Sequence, residues 1–522
     1  MKRLAVLGTL VLGLVAAVAG GPYAYGLVES DATDPARNTP LPCEALATST
    51  PPRSANGITH LANLCGFVGT DVELQSRTDL TGKVHDYAFV GTMGDGLRIF
   101  DVTDAAQPKP AGGYIDQGWE NDVQVRGNVA VLTYDGVSGE GSTTSTCLRE
   151  RYGEVNGQGV DIMRLNYNAL TAKFEVNLLT CVANPPGGAH NATLHQSGDW
   201  LGISNPSSDW ALDVIDLRGI ESGANPVHRY RLIDATRKDA GRCPVGATFT
   251  CIVMTQPNGS SASGLWRPHD VFFSNDGRTA YVAALNSTFI VDVSQVLTGK
   301  AKTIAVIPNE SGPGGLTNPE NIQLSHQADI TPDGKILIVN DERGGGLDNT
   351  ECNTDPNGVI GALHFWALAA IKGVPQSKGA SPATPKKLGI YINPNPTLLP
   401  DPLQPAIDLL PRAERACTSH VFRIGGNGSV SAGPIAPGFD GVSRLGQREL
   451  VEAWYGAGVW NIDFSGPSRN DDGQGEDSRS TWANTLGWNV MPGADTWSAK
   501  EYKGNIYAGD ILRGFDVYTF AR

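Results

Sequence analysis

The chain has 522 residues, 40% of them apolar and only 7% aromatic, with 63 Gly and 33 Pro. This composition fits a large folded body rich in turns and excludes a disordered chain. A formal net charge of −14 argues against nucleic acid and anionic membrane surfaces as partners.

In chain order, Lys2 and Arg3 precede an apolar run from Leu4 to Val18, and Ala17-Val18-Ala19 places small residues before a cut at Gly20. Residues 1–19 are therefore read as a secretory signal peptide. The run is short and broken by Gly8, Thr9 and Gly13, which disfavours a retained membrane span. The mature chain is expected to be secreted and soluble, without a membrane span. Its formal charge becomes −16 when Lys2 and Arg3 leave. Residues 20–56, rich in Pro, Thr and Ser, read as a leader.

All eight cysteines (43, 65, 147, 181, 243, 251, 352 and 417) lie beyond the signal. An even count in an exported protein favours disulfides over thiol chemistry. Cys243 and Cys251, in CPVGATFTC, are the most local candidate pair, and Cys43 with Cys65 is the next by sequence order.

From there a repeat organises the sequence. One motif is a short apolar strand, usually closed by aspartate: GLRIFDV (96–102), ALDVIDL (211–217), STFIVDV (287–293) and GVWNIDF (458–464). GVDIMRL (159–165), GALHFWA (361–367) and GFDVYTF (514–520) are weaker copies. The other motif is a hairpin split by a Gly turn: NDVQVRGNVAVLTYDG (121–136), HDVFFSNDGRTAYVAAL (269–285) and HQADITPDGKILIVNDE (326–342). Apolar or alternating runs of this length around Asn/Asp-Gly read as β-hairpins. The motifs alternate and give seven units, beginning near residues 70, 121, 190, 269, 326, 420 and 496.

Repeated antiparallel sheets of about four strands are the signature of a β-propeller. The expected fold is all-β: a seven-bladed β-propeller over 57–522. Because GFDVYTF stops two residues from the C-terminus, the last unit lacks an outer strand. The N-terminal segment around ANLCGFVG (62–69) is expected to supply it and so remove an exposed edge. The stretch from about 372 to 416, with NPNPTLLPDPLQP, reads as a Pro-rich loop insertion. NDDGQGED (470–477) is a polar loop without the ordered spacing of a calcium loop.

RPHDVFFSNDGRTAYVAALNSTFIVDV resembles a blade of the YVTN, or lactonase-like, propellers. GLRIFDVTDAAQPKPAGGYI and the strands FIVDV and VIDL resemble the LVIVD-repeat propellers of exported bacterial proteins. The resemblance spans nearly the whole mature chain and implies a fold. It implies no single activity, since propellers host many.

HNATLHQSG, HDVFFSNDG, HQADITPDG and HVFRIGGNG begin at His190, His269, His326 and His420, each with Gly eight positions on. The chain has only nine histidines. If the Gly marks the hairpin turn, these four start the innermost strands of units three to six and share one depth near a channel mouth. Thr70, Asn121 and Thr496 or Trp497 stand near that depth in other units. Four converging imidazoles are a ligand set for Fe, Cu or Zn. Carotenoid-cleaving oxygenases, propeller methanethiol oxidases and nitrous oxide reductases hold metals on propeller histidines. Their wider motifs are missing here, so only the arrangement is comparable. The competing reading is structural: each ring ties its strand to a neighbouring carbonyl.

Glu120, Asp122, Asp270, Asp329 and Glu320 fall near the same mouth, where carboxylates could orient imidazoles. Trp266, Trp454, Tyr455 and Trp497 either line a pocket or pack between blades. His60, His85, His228 and His364 are expected to be structural or exposed, and His195 to lie on the opposite face of its strand from His190. No G-x-S-x-G, H-E-x-x-H, Walker or dinucleotide pattern occurs. Two functions remain: an extracellular binding or scaffold module for a protein or small ligand, and a metal-dependent oxidoreductase with a four-histidine centre.

Overall fold

Every one of the seven apolar motifs is the third strand of its own sheet. The computed structural model describes residues 40–46, 51–116, 118, 122–134, 145–152, 159–183, 189–205, 211–234, 249–254, 257, 266–309, 321–343, 361–393, 401–403, 417–425, 445–469 and 479–521. Blade 1 comprises Val68–Thr78, Val84–Met93, Gly96–Asp101 and Lys109–Tyr114. Blade 2 comprises Val123–Arg126, Val129–Tyr134, Gly159–Asn168 and Lys173–Ala183. Blade 3 runs Asn191–Leu194, Trp200–Asn205, Ala211–Asp216 and Val227–Asp234, with Thr250–Met254 added in parallel at its rim. Blade 4 is Asp270–Phe273, Thr279–Ala283, Ser287–Gln295 and Lys300–Pro308. Blade 5 is Ser325–Ile330, Ile336–Asp341, Ala362–Ala367 and Lys386–Ile392. That last strand lies within the stretch read from sequence as a surface loop. Blade 6 is Phe422–Ile424, Glu449–Ala453, Val459–Pro467 and Trp482–Val490, and blade 7 begins with Thr496–Tyr502, Asn505–Asp510 and Gly514–Phe520.

Two N-terminal strands complete the last two sheets. Ile58–Leu64 pairs antiparallel with Gly514–Phe520, Ile58 opposite Phe520 and Leu64 opposite Phe515. Ser54–Asn56, at the end of the stretch read as a leader, pairs with Trp482–Val490. The seven-bladed propeller is thus closed by N-terminal strands.

Side chains alternate across each strand, so every blade buries both faces. In blade 1, Tyr87 and Phe89 pack toward blade 2, while Ala88 and Val90 pack toward blade 7. The five further junctions follow the same logic. Val131 and Ile203 join blades 2 and 3, Val214 and Phe273 blades 3 and 4, and Ile290 and Val339 blades 4 and 5. Phe365 and Trp460 join blades 5 and 6, and Val451 and Ile506 blades 6 and 7. Phe515 and Phe100 close the ring between blades 7 and 1.

The aspartate that closes the apolar motif of the third strand has a local cause. Asp101, Asp216, Asp292 and Asp463 each accept a hydrogen bond from the backbone N–H two residues on, at 2.9, 3.0, 3.0 and 2.8 Å. The carboxylate replaces a backbone acceptor, closing the strand at Asp101 and Asp216 and breaking its register just beyond Asp292 and Asp463. In the Asp-Gly hairpins, Gly277 and Gly334 both adopt φ +69°, a conformation that a Cβ would strain.

Cys43–Cys65 and Cys147–Cys181 are disulfides, with Cα atoms 5.5 and 6.0 Å apart. Cys251 and Cys417 are also disulfide-bonded, to partners outside the described residues; Cys243 is among the residues not described. Among the described residues no helix is long and apolar enough to cross a membrane.

Candidate metal centre at the channel mouth

Local backbone register sets the depth of the histidines. The N–H groups of His190, His269 and His420 donate to the carbonyls of Ser204, Ala283 and Ala453 at 3.0, 2.8 and 3.1 Å. Each acceptor lies at or near the end of its blade's second strand, so the three occupy equivalent hairpin positions. His326 lies in the first strand of blade 5. The rings form a continuous arc. Successive centroids are 4.1 Å apart for His190–His269, 4.3 Å for His269–His326 and 4.5 Å for His326–His420. His269, His326 and His420 are buried, and His190 is partly exposed, which marks the open side of the arc.

Burial holds His269 and His326 well below the ordinary imidazole pKa. The neighbouring rings push the same way, since a second positive charge a few ångströms off is unfavourable. Both are therefore neutral at pH 7, the form that ligates metal.

A second pattern runs through the same positions. Thr133 of blade 2 donates to the His190 carbonyl at 3.1 Å, and Asn191 of blade 3 to that of His269 at 2.9 Å. Nδ1–H of His269 donates to the His326 carbonyl at 3.2 Å. Asn340 donates to the His420 carbonyl, and Nδ1–H of His420 to that of Trp497 at 2.5 Å. Ser498 of blade 7 donates to the carbonyl of Thr70 in blade 1 at 2.9 Å. Mouth residues thus lace blade 2 through to blade 7 and blade 7 to blade 1, and two of the four rings take part. The structural and the metal readings are compatible at His269, where the Nδ1–H bonded to a carbonyl leaves Nε2 as a donor atom.

The carboxylate set among the rings is Glu342, which sequence reasoning missed. It follows the apolar strand Ile336–Asp341 and is buried; an acid directly after ILIVND was the available signal. Its oxygens lie 3.7 Å from Nε2 of His326 and 3.7 Å from Nε2 of His420. The Tyr455 hydroxyl donates to Glu342 Oε1 at 2.6 Å, and the Tyr455 ring stands 4.4 Å from that of His420. Tyr455 reaches this position with a φ of 42°, a strained conformation for a bulky residue. Ligand atoms of His269, His326 and Glu342 all lie within 4.8 Å of one another. Nδ1 of His326 is buried with no hydrogen-bond partner among the described residues. These donors fit a transition-metal ion.

Trp497 stands 4.6 Å from the His420 ring. An apolar cap of Leu41, Leu46, Leu403, Val68, Met93 and Leu512 packs on Tyr455 and Trp497, so this side of the arc is sealed. Trp266 and Trp454 instead pack between blades.

The acidic residues expected to orient the rings bond backbone N–H groups, and the His190 ring acts electrostatically on Asp270. Asp122, Asp270 and Asp329 accept from the backbone N–H groups of Ala192, Val271 and Ile330 at 2.8, 2.7 and 2.7 Å. Burial pushes Asp270 and Asp329 up to about 7. Glu120 and Glu320 lie outside the described residues. Asp270 and Asp122 belong to a buried ionic network. Burial disfavours charge on Arg423, but Asp71, Glu73, Asp270 and Asp122 outweigh it and hold the guanidinium charged. Arg423 Nη2 lies 3.4 Å from Asp71, and Lys500 lies 2.5 Å from Glu73.

The remaining histidines are structural. His60 and His228 bond Asp516 and Asp213 at 2.7 and 2.6 Å, and His85 bonds Asp101 at 2.9 Å. His195 stacks on Trp200 and bonds the Gly277 carbonyl. His364 is fully buried. Cys147, Asp161 and Cys181 also lie together, but the two cysteines form a disulfide and offer no thiolates. The polar loop 470–477 lies outside the described residues.

No family model matches the sequence, and no curated protein matches it. Solved structures do. A protein of unknown function from Desulfotomaculum acetoxidans is 11% identical with a TM-score of 0.41, over 82% of this chain and 90% of that one. A candidate 6-phosphogluconolactonase from Bacteroides fragilis is 10% identical with a TM-score of 0.41, over 80% and 84%. The periplasmic gluconolactonase of Pseudomonas aeruginosa is 10% identical with a TM-score of 0.43, over 82% and 97%.

Proposed function

We propose that this chain is an exported propeller that binds a transition-metal ion at its channel mouth and acts there as a metal-dependent oxidoreductase. The arc of four imidazoles, centroids 4.1 to 4.5 Å apart, carries this reading. Imidazoles crowded at such spacing, with His269 and His326 buried and neutral, give little packing advantage over apolar residues, but together they offer an ion several donors. Export is supported by the Lys-Arg and apolar leader at 1–19 and by the disulfides, which persist in oxidising compartments. Elemental analysis of protein purified without chelator tests the reading. Iron, copper or zinc near one per chain is expected, and His269→Ala should release it with the circular dichroism spectrum unchanged. A fully folded wild-type chain that takes up none of these ions would overturn it.

One set of contacts favours a second reading, a binding or scaffold propeller for an extracellular protein or small ligand. The blade-to-blade hydrogen bonds from His269 and His420 give those histidines a purely architectural use. On that reading His269→Ala lowers the unfolding midpoint and changes no metal content.

A further inference from the structure

We propose that the ligands at this mouth are His269, His326 and Glu342, a two-histidine, one-carboxylate set for Fe(II) with open coordination positions, and that Tyr455 is the positioning residue for Glu342. This rests on the reading of the mouth as a metal centre. It replaces the four-histidine ligand set with one that only the folded chain assembles.

Nε2 of His420 is also 3.7 Å from Glu342, so what singles out His269, His326 and Glu342 is the mutual spacing of all three, within 4.8 Å. Nε2 of His326 and Oε2 of Glu342 are 3.7 Å apart, too far for a hydrogen bond, whose N···O distance is about 2.7–3.2 Å. Two donors each about 2.1 Å from one ion stand roughly 3–3.6 Å apart. At 3.7 Å the pair stands just outside that spacing, and an ion between them would draw the two donors slightly together. His269 completes a group whose ligand atoms lie within 4.8 Å of one another, and its Nδ1–H is committed to the His326 carbonyl, which leaves Nε2 to face the ion.

Chemistry narrows the metal to Fe(II) or Zn(II), since two histidines and one carboxylate hold either, and of the two only Fe(II) is redox-active, as the proposed oxidoreductase requires. A carboxylate among imidazoles disfavours Cu(I), which prefers soft sulfur ligands, and three facial protein donors leave positions for exogenous ligands. Those positions open toward His190, the partly exposed end of the arc, because the cap over Tyr455 and Trp497 seals the other side. The exogenous ligand is thus a small molecule entering past His190 and binding the iron directly.

Tyr455 fixes the carboxylate. Its hydroxyl donates to Oε1 at 2.6 Å, and Oε2 is the oxygen that stands 3.7 Å from His326 Nε2. The positive φ of Tyr455 is kept by reciprocal backbone hydrogen bonds with Thr496 at 3.1 and 3.0 Å. Such outer-shell partners are worth about 10–100-fold in metal affinity.

The test is anaerobic Fe(II) titration of the metal-stripped full-length chain, with nitric oxide added as the probe of open positions and read by EPR. Wild type should bind one Fe(II) and give an iron–nitrosyl signal. H269A, H326A and E342Q should each lose binding by at least about 100-fold, more than the outer-shell effect. H190A and H420A should keep one Fe(II) per chain. Y455F should keep the stoichiometry, weaken affinity about 10-fold and change the nitrosyl signal, which a merely structural role would not do. Equal loss in H190A, H420A and H269A, with E342Q unaffected, would overturn the three-ligand set while leaving the metal centre standing. A wild-type chain that binds no Fe(II), Cu(II) or Zn(II) would overturn both.

Discussion

Closure of the ring depends on a buried ion pair, and Asp516→Asn should expose that dependence. Asp516 is fully buried in the last strand of blade 7. It receives Nε and Nη2 of Arg513 at 2.7 and 2.9 Å, and Nε2 of His60 and Nδ2 of Asn63 at 2.7 and 2.9 Å. His60 and Asn63 belong to the N-terminal closing strand, so one carboxylate holds both ends of the chain. Burial alone would raise its pKa, but Arg513 and His60 outweigh burial and hold it well below the carboxylate range. Removing one partner of a buried pair costs about 3–5 kcal/mol, because the other charge is stranded. The Pro492 carbonyl, 2.8 Å from Arg513 Nη1, and the nearby Asp510 favour the lower end, about 3 kcal/mol. The exposed pair Arg469–Asp463, at 3.9 Å with Arg469 62% exposed, is the control; Arg469→Ala should cost less than about 1 kcal/mol. Urea unfolding measures the loss, and hydrogen exchange over residues 58–64 locates it. If Asp516→Asn costs no more than Arg469→Ala, the clasp contributes nothing and closure rests on apolar packing alone.

Two further outcomes follow from other buried groups. Asp329, pushed from 3.8 up to about 7 by burial, binds a proton in the folded chain that the unfolded chain has released between pH 4 and 7. Its contribution to stability is therefore present below pH 4 and lost as pH rises toward 7. Asp329→Asn should raise the urea midpoint at pH 8 and leave it unchanged near pH 4; equal shifts at both would refute the assignment. The Cys147–Cys181 bridge spans a separation of 34 residues, for which the chain-entropy relation gives about 4 kcal/mol. Replacing both cysteines by Ala should lower the unfolding free energy by about that amount, and a loss under about 1 kcal/mol would show that the unfolded chain gains little freedom.

The blade count and the depth of the histidines were legible in the sequence because both are periodic. Apolar strands ending in Asp101, Asp216, Asp292 and Asp463 mark third strands through a turn that needs a side-chain acceptor two residues before the N–H it receives. Equal spacing to the turn glycines Gly198 and Gly277 puts His190 and His269 on the same hairpin hydrogen bond, and His420 makes the equivalent bond to Ala453 in a hairpin that closes at Gly425 and Glu449. These are local rules, and a local pattern records them.

Tertiary structure decided what the histidines face. Glu342 and Tyr455 come from blades 5 and 6, 113 positions apart, and they meet only because the loops after the second strands of adjacent blades converge at the mouth. No spacing encodes that meeting. The same holds for Asp122, Asp270 and Asp329, whose proximity to the histidines in sequence suggested a link to the rings. Their carboxylates instead bond backbone N–H groups, and Asp122 and Asp270 also join the Arg423 network. Sequence periodicity sets which position along a strand a residue occupies. Only the closed ring, through packing of each blade on the next, sets which side chains from different blades share one desolvated point.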